Sequence, residues 1–118
     1  MAGSIMKKTM KQAMRKPTSV GDVLQYEFLE PLGLRVNDLA DMLNVHRNTV
    51  SALVNNNRKL TTEMAYRLAV VFATSVDFWL NLQRHLDQWE VENDARTQEE
   101  LSRVTPLETF LAQRHEVA

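Results

Sequence analysis

The stretch Val36–Leu53, VNDLADMLNVHRNTVSAL, decides the fold because it encodes two short apolar helices on either side of a tight corner. Apolar residues recur there at the spacing that places side chains on one face of a helix. They are Leu39, Ala40 and Leu43 in the first helix and Val50, Leu53 and Val54 in the second. The pattern is typical of a helix-turn-helix motif, whose second helix enters the DNA major groove N-terminus first.

The second helix of this motif begins with four polar residues, His46-Arg47-Asn48-Thr49, which are therefore the predicted base-reading positions. No carboxylate lies between Asp41 and Glu63, so DNA phosphates would meet no like charge from this segment. The polar run after the helix is predicted to end it and to contact phosphates, since Asn tolerates left-handed backbone angles. That run comprises Asn55, Asn56, Asn57, Arg58 and Lys59.

The corner itself carries Asn44, where such motifs often have glycine. Asn is the next most tolerant residue for positive φ, so we expect the turn to form. Any pair of short core helices can imitate the motif, which leaves a helical interaction module without DNA binding as an alternative.

Length and charge give the organisation of the chain. With 118 residues it can form one small domain with a modest core. Residues 1–16 carry five basic groups and no acid, namely Lys7, Lys8, Lys11, Arg15 and Lys16, whereas eight acidic and three basic residues follow from Asp87 onward. We therefore predict a flexible basic tail over 1–16, a helix-turn-helix domain over 17–95 and an acidic helical extension over 96–118.

Several chemistries are disfavoured by composition. The chain has no cysteine, its three histidines lack a metal-binding spacing, and its three glycines are isolated, so we expect no cofactor, no metal and no enzymatic activity. No apolar run is long enough to cross a membrane or to act as a signal peptide, and a cytoplasmic location is the expectation.

An all-α fold is predicted by the absence of strand signals and by recurring helix starts. Capping-box spacing, or its Asp variant, is found for Ser19 with Asp22, Thr74 with Asp77, Thr97 with Glu100 and Thr105 with Glu108. Five core helices are expected over about 19–30, 35–43, 46–54, 62–73 and 75–93, with one or two short helices between Gln98 and Arg114. Pro31 and Gly33 are expected to end the first helix.

The fifth helix repeats Trp79, Leu82, Leu86 and Trp89 at the spacing of a coiled-coil seam. Its outer half exceeds what a small core needs, which predicts contact with a second subunit. An ordinary core role is the favoured alternative for Trp79 and stays open for Trp89. The predicted interface of a homodimer consists of Trp89, Leu107, Phe110 and Leu111. Such a dimer would read an inverted-repeat operator.

The segment from Leu53 to Trp89, with its string Phe78-Trp79-Leu80-Asn81-Leu82-Gln83, resembles the HigA/VapI group of antitoxins, XRE-type helix-turn-helix proteins. The resemblance covers about Lys16 to Glu92. It implies a five-helix lambda-repressor-like domain with a short C-terminal helical extension. It also adds Ser51 to the DNA-reading positions.

The same resemblance implies a dimeric repressor of its own promoter that neutralises a small ribonuclease toxin of the HigB or RelE type. The family also contains solitary members, so a stand-alone transcriptional regulator is the alternative. The acidic stretch after Asp87 is the favoured surface for a basic toxin, because an enzyme that cleaves RNA has to attract phosphate.

Overall fold

The computed structural model describes residues 15–117, with side chains through residue 114, and the regular secondary structure of this part of the chain is entirely helical. The prediction of an all-α fold is confirmed. The first helix, α1, covers 20–32 in three consecutive segments, Val20–Val23, a π-helical Leu24–Leu29, and Glu30–Leu32. The others are α2 (Val36–Leu43), α3 (Arg47–Val54), α4 (Thr62–Phe72), α5 (Val76–Glu92), α6 (Ala95–Ser102) and α7 (Leu107–Val117).

Helix α1 begins where the sequence predicts but does not end at Pro31. The Ser19 hydroxyl accepts a hydrogen bond from the Asp22 amide at 3.1 Å, as expected for a capping residue. Pro31 instead lies within the last segment of α1, directly after the π-helical turns, and Gly33 ends the helix with φ at 64°. A π-helical turn bonds to the fifth residue back, so it makes room for a proline ring that would clash with a regular helix.

The helix-turn-helix is formed by α2 and α3. Asn44 ends α2 in the left-handed conformation, with φ at 57°, so the prediction for the corner is confirmed. The predicted inner faces are confirmed as well, because every one of their residues is buried. These are Leu39, Ala40 and Leu43 on α2 and Val50, Leu53 and Val54 on α3.

The core of residues 15–88 is completed by α4 and α5. Trp79 is fully buried and packs in an aromatic cluster with Phe28 and Phe72, at centroid distances of 5.4 and 6.0 Å. The predicted Thr74–Asp77 capping box is wrong. Ser75 accepts the amide hydrogen bond of Phe78 at 3.0 Å, while the Thr74 hydroxyl accepts from Trp79 Nε1 at 2.6 Å. The buried indole N–H needs an acceptor, and Thr74 supplies it.

The chain divides into two compact units, and the described residues of the second are 89–117. Helix α6 is capped by Asp94, whose carboxylate accepts from the Thr97 amide at 3.0 Å, so the predicted Thr97–Glu100 box is wrong. Among the described side chains of this unit none is buried, and Leu107 and Phe110 are 71% and 50% exposed.

Residues 1–14 and Ala118 lie outside the part of the chain that the structure describes. The predicted basic tail falls there except for Arg15 and Lys16. Within the described residues, no helix combines the length and apolar character needed to span a membrane.

Candidate nucleic-acid interface

The start of α3 is built around His46. Its backbone is extended, and its Nδ1 accepts a hydrogen bond from the Asn48 amide at 3.1 Å, so the imidazole caps the helix. His46, Arg47 and Asn48 are all exposed. Because the opposite face of α3 carries buried Val50, Leu53 and Val54, the first turn presents these three polar residues outward.

Thr49 and Ser51 are less accessible than the first three positions. Both are half-buried. Thr49 lines a cleft of about 280 Å³ between α3, the following loop and α4, together with Leu53 and Met64. The Ser51 hydroxyl accepts from Asn55 Nδ2 at 3.3 Å, which ties the last turn of the helix together. The three exposed positions at the helix start are therefore the best placed to touch a ligand.

The asparagine run ends α3 as predicted. Asn55 is the C-terminal cap, and Asn56 adopts the left-handed conformation with φ at 63°. The Asn56 side chain has a structural role, because its Nδ2 donates to Asp22 Oδ1 of α1 at 3.1 Å. The backbone N–H of Asn57 donates to the Ala52 carbonyl oxygen at 2.8 Å, and Asn57 is exposed.

Residues 55–61 form a loop between α3 and α4, called the 55–61 loop below, and it carries Arg58 and Lys59. Both residues are exposed. Lys59 Nζ lies 3.0 Å from Asp87 Oδ1 of α5, and Gln83 Nε2 donates to the same oxygen at 2.9 Å. The 55–61 loop contains no acidic residue, but the fold places the carboxylate of Asp87, 28 residues away in sequence, next to Lys59.

Asp87 is charged in this setting. Burial raises the pKa of its carboxyl group, but hydrogen bonds from Gln83 and Lys59 and the charge of Lys59 lower it by more, so the pKa lies below its ordinary value of 3.8. A negative charge therefore accompanies Lys59 at neutral pH.

A third cation borders the cleft. Arg67 of α4 donates from one guanidinium nitrogen to the Leu43 carbonyl at 2.8 Å and from the other to Glu63 at 2.9 Å. The first bond satisfies a carbonyl at the C-terminal end of α2, where the helix dipole favours a positive group. Arg67 thus fixes α2 against α4.

Sequence reasoning missed Asp22, Gln83, Asp87 and Arg67 as neighbours of the predicted interface. Each reaches it from another helix, across sequence separations of 23 to 34 residues. The sequence shows these residue types but contains no local spacing that pairs them with the loop or with α2.

A sequence model of the helix-turn-helix family matches residues 26–79, which include all of α2, α3 and α4. The chain is 67% identical over 109 residues to YbaQ of Escherichia coli, an HTH-type transcriptional regulator, covering 92% of this chain and 96% of the relative. The chain belongs to the helix-turn-helix family of transcriptional regulators. It is also 44% identical over 104 residues to antitoxin HigA-1 of Vibrio cholerae, covering 88% of this chain and 96% of HigA-1.

Solved helix-turn-helix structures support the same assignment. The antitoxin HigA of Pseudomonas aeruginosa, determined with the higBA promoter, superposes with a TM-score of 0.70 at 32% identity and covers 78% of this chain and 99% of its own. The resemblance to the HigA group is confirmed. In that structure, a helix-turn-helix protein of related sequence is found together with promoter DNA.

Proposed function

We propose that this helix-turn-helix regulator is a sequence-specific repressor that reads duplex DNA through the N-terminal turn of α3. The proposal rests on the exposure of His46, Arg47 and Asn48 at the start of a helix whose other face is buried in the core. A rigid support matters because base recognition needs side chains held at fixed positions in the groove.

Arg47 and Asn48 are the residues that would read bases. An Arg guanidinium pairs bidentately with guanine and an Asn amide with adenine, and each good pair contributes about 1–3 kcal/mol of discrimination. Thr49 and Ser51 are assigned a supporting part, since both are half-buried.

The 55–61 loop would contact the backbone of the duplex instead of the bases. Its exposed polar residues Asn55, Asn57, Arg58 and Lys59 suit phosphate oxygens, which fix register without reading sequence. Asn56 would contribute mainly by holding the loop to α1 through Asp22.

Fluorescence anisotropy with a duplex selected from a random-sequence pool tests these roles. Arg47→Ala should reduce the preference for the selected duplex over a scrambled one by roughly ten-fold, since one base pair contact is lost. Lys59→Ala should weaken both duplexes equally and flatten the salt dependence. Undiminished selectivity of the Arg47→Ala protein would contradict the assignment of α3.

A homodimer on an inverted repeat is the assembly that we propose. One short helix contacts few base pairs, and half-sites about 34 Å apart would let two copies of α3 enter the same side of the duplex. The exposed residues Leu107, Phe110 and Leu111 and the half-buried Trp89 of the 89–117 unit support an interface there. Light scattering should give twice the chain mass, and a monomer bound singly to the operator would refute the dimer.

Antitoxin activity is the second candidate, and the similarity to antitoxin HigA-1 over 88% of the chain favours it. The partner would be a small basic ribonuclease-type toxin, attracted by the acidic residues that follow Asp87. Replacing Glu92, Glu100 and Glu108 by glutamine should then reduce growth protection against a co-expressed toxin, while the apolar residues of the proposed dimer interface stay in place and operator binding persists. Unchanged protection would exclude this surface, and a chain that binds no product of the adjacent gene would be a stand-alone regulator.

A further inference from the structure

A hydrogen-bonded chain links the 55–61 loop to α5. The Leu60 amide donates to Gln83 Oε1 at 2.9 Å, in a partly buried position. The other end of the same side chain, Nε2, donates to Asp87 Oδ1 at 2.9 Å. Asp87 in turn holds Lys59 Nζ at 3.0 Å. One amide side chain and one carboxylate therefore contact two consecutive loop residues.

Gln83 supplies an acceptor that the backbone of the loop lacks. Leu60 precedes α4, which begins at Thr62, and its side chain is buried, with only 8% exposed. An amide left without an acceptor in such a place is unfavourable, so the Gln83 carbonyl oxygen fixes the distance between the loop and α5. The backbone next to Lys59 is held by the same contact.

A loop that binds phosphate requires positive charge, whereas the Asp87 side chain is negative. Lys59 cannot keep its full interaction with Asp87 and also neutralise a phosphate. Binding of any duplex therefore has to compete with the internal ion pair.

We propose that Gln83 and Asp87 are positioning residues for DNA binding: Gln83 holds the 55–61 loop against α5, and Asp87 sequesters Lys59 and so lowers the affinity for every duplex alike. This inference rests on the proposed function, because it requires the loop to meet phosphates. It assigns to α5 a control over DNA affinity that is separate from base reading by α3.

Asp87→Asn is the decisive variant. It removes the charge but keeps the size of the side chain, and we expect affinity for the selected and the scrambled duplex to rise equally, by about two- to five-fold, the range expected for an exposed ion pair. The salt dependence should also become steeper, by up to about one released counterion, because Asp87 then no longer competes with phosphate for Lys59. Asp77→Asn is the matched control, since it makes the same charge change at the beginning of the same helix.

The double variant Lys59→Ala/Asp87→Asn separates sequestration from a general charge effect. If Asp87 acts through Lys59, the gain from Asp87→Asn should disappear when Lys59 is already absent. A gain that persists in the Lys59→Ala background, or one that Asp77→Asn reproduces, would overturn the assignment.

Gln83 is tested by hydrogen exchange of the Leu60 amide in the free protein. Gln83→Ala should accelerate that exchange by at least about ten-fold and weaken binding of both duplexes, while Asp87→Asn should leave the exchange nearly unchanged. Unaltered exchange in Gln83→Ala would overturn the positioning role of Gln83.

The two proposals fail in distinguishable ways. If the parent binds with Arg47-dependent selectivity but Asp87→Asn has parental affinity, this inference alone is wrong. If the parent binds no duplex at all, the proposed function is wrong and the inference with it.

Discussion

Replacing Gly21 by alanine tests a close approach between α1 and the end of the proposed reading helix, α3. A Cβ at this position would lie 2.5 Å from Asn56 Oδ1, 2.5 Å from the Leu53 carbonyl oxygen and 2.6 Å from that of Val54. Real Cβ atoms essentially never come within 3.0 Å of such neighbours. Two of the three atoms belong to the backbone at the end of α3, so a side-chain rotation cannot relieve the contact.

The expected loss follows from two opposing effects. Alanine is the better helix former and restricts the unfolded chain, which together favour it by about 1 kcal/mol. Forcing an extra methyl group into a packed site costs about 1–3 kcal/mol, and the upper value applies here because backbone has to move. We expect a net loss of about 2 kcal/mol, or roughly 8–16 °C in Tm for a domain of this size.

Thermal and urea unfolding followed by circular dichroism measure this loss, with Gly33→Ala as the control. Gly33 has φ at 64°, but a methyl group added there would have no neighbour within 4 Å, so only backbone strain opposes alanine at this position. That strain is about 1–2 kcal/mol, partly offset by the restricted unfolded chain. A Gly21→Ala protein as stable as the parent, or no less stable than Gly33→Ala, would refute the steric argument.

Two further predictions concern stability. Ala73 ends α4 with φ at 54°, a strained conformation for alanine, so Ala73→Gly should raise the free energy of unfolding in urea by about 0.5–1 kcal/mol. The control Ala52→Gly lies within α3 and should lower that free energy by about the same amount. A lower free energy of unfolding in both variants would contradict backbone strain at Ala73. Because the pKa of Asp87 is lowered in the folded chain, its contacts stabilise the fold above pH 3.8 and are lost as the pH falls through the lower folded value. Asp87→Asn should therefore reduce the difference in unfolding free energy between about pH 6 and about pH 3 by a few tenths of a kcal/mol. An undiminished difference would show that the Asp87 contacts do not stabilise the fold.

Much of the fold is determined by patterns within a few residues of sequence. The inner faces of α2 and α3 follow from helical periodicity, because residues three and four apart necessarily share a face. The corner at Asn44 follows from the tolerance of asparagine for positive φ, and the start of α1 follows from the hydroxyl of Ser19. These features need no knowledge of how the helices pack.

Local patterns fail where two residues of similar chemistry compete for one role. Thr74 and Ser75 both suit a helix cap, and the choice of Ser75 depends on Thr74 being needed by the buried Trp79 indole. Likewise, Ala73 in the left-handed conformation has no sequence signal, because alanine ordinarily disfavours it. Packing of the aromatic cluster, and with it the path of the chain between α4 and α5, is a tertiary property.

The proposed interface shows the same division. Sequence alone predicted that His46, Arg47 and Asn48 would begin a helix with an acid-free outer face, since one face of α3 is apolar and the other polar. Only the tertiary structure brings Asp87 within 3.0 Å of Lys59 and Gln83 within 2.9 Å of the Leu60 amide. Those contacts depend on how α5 is oriented relative to the loop. That orientation is set by the packing of side chains that are distant in sequence, and no local spacing encodes such packing.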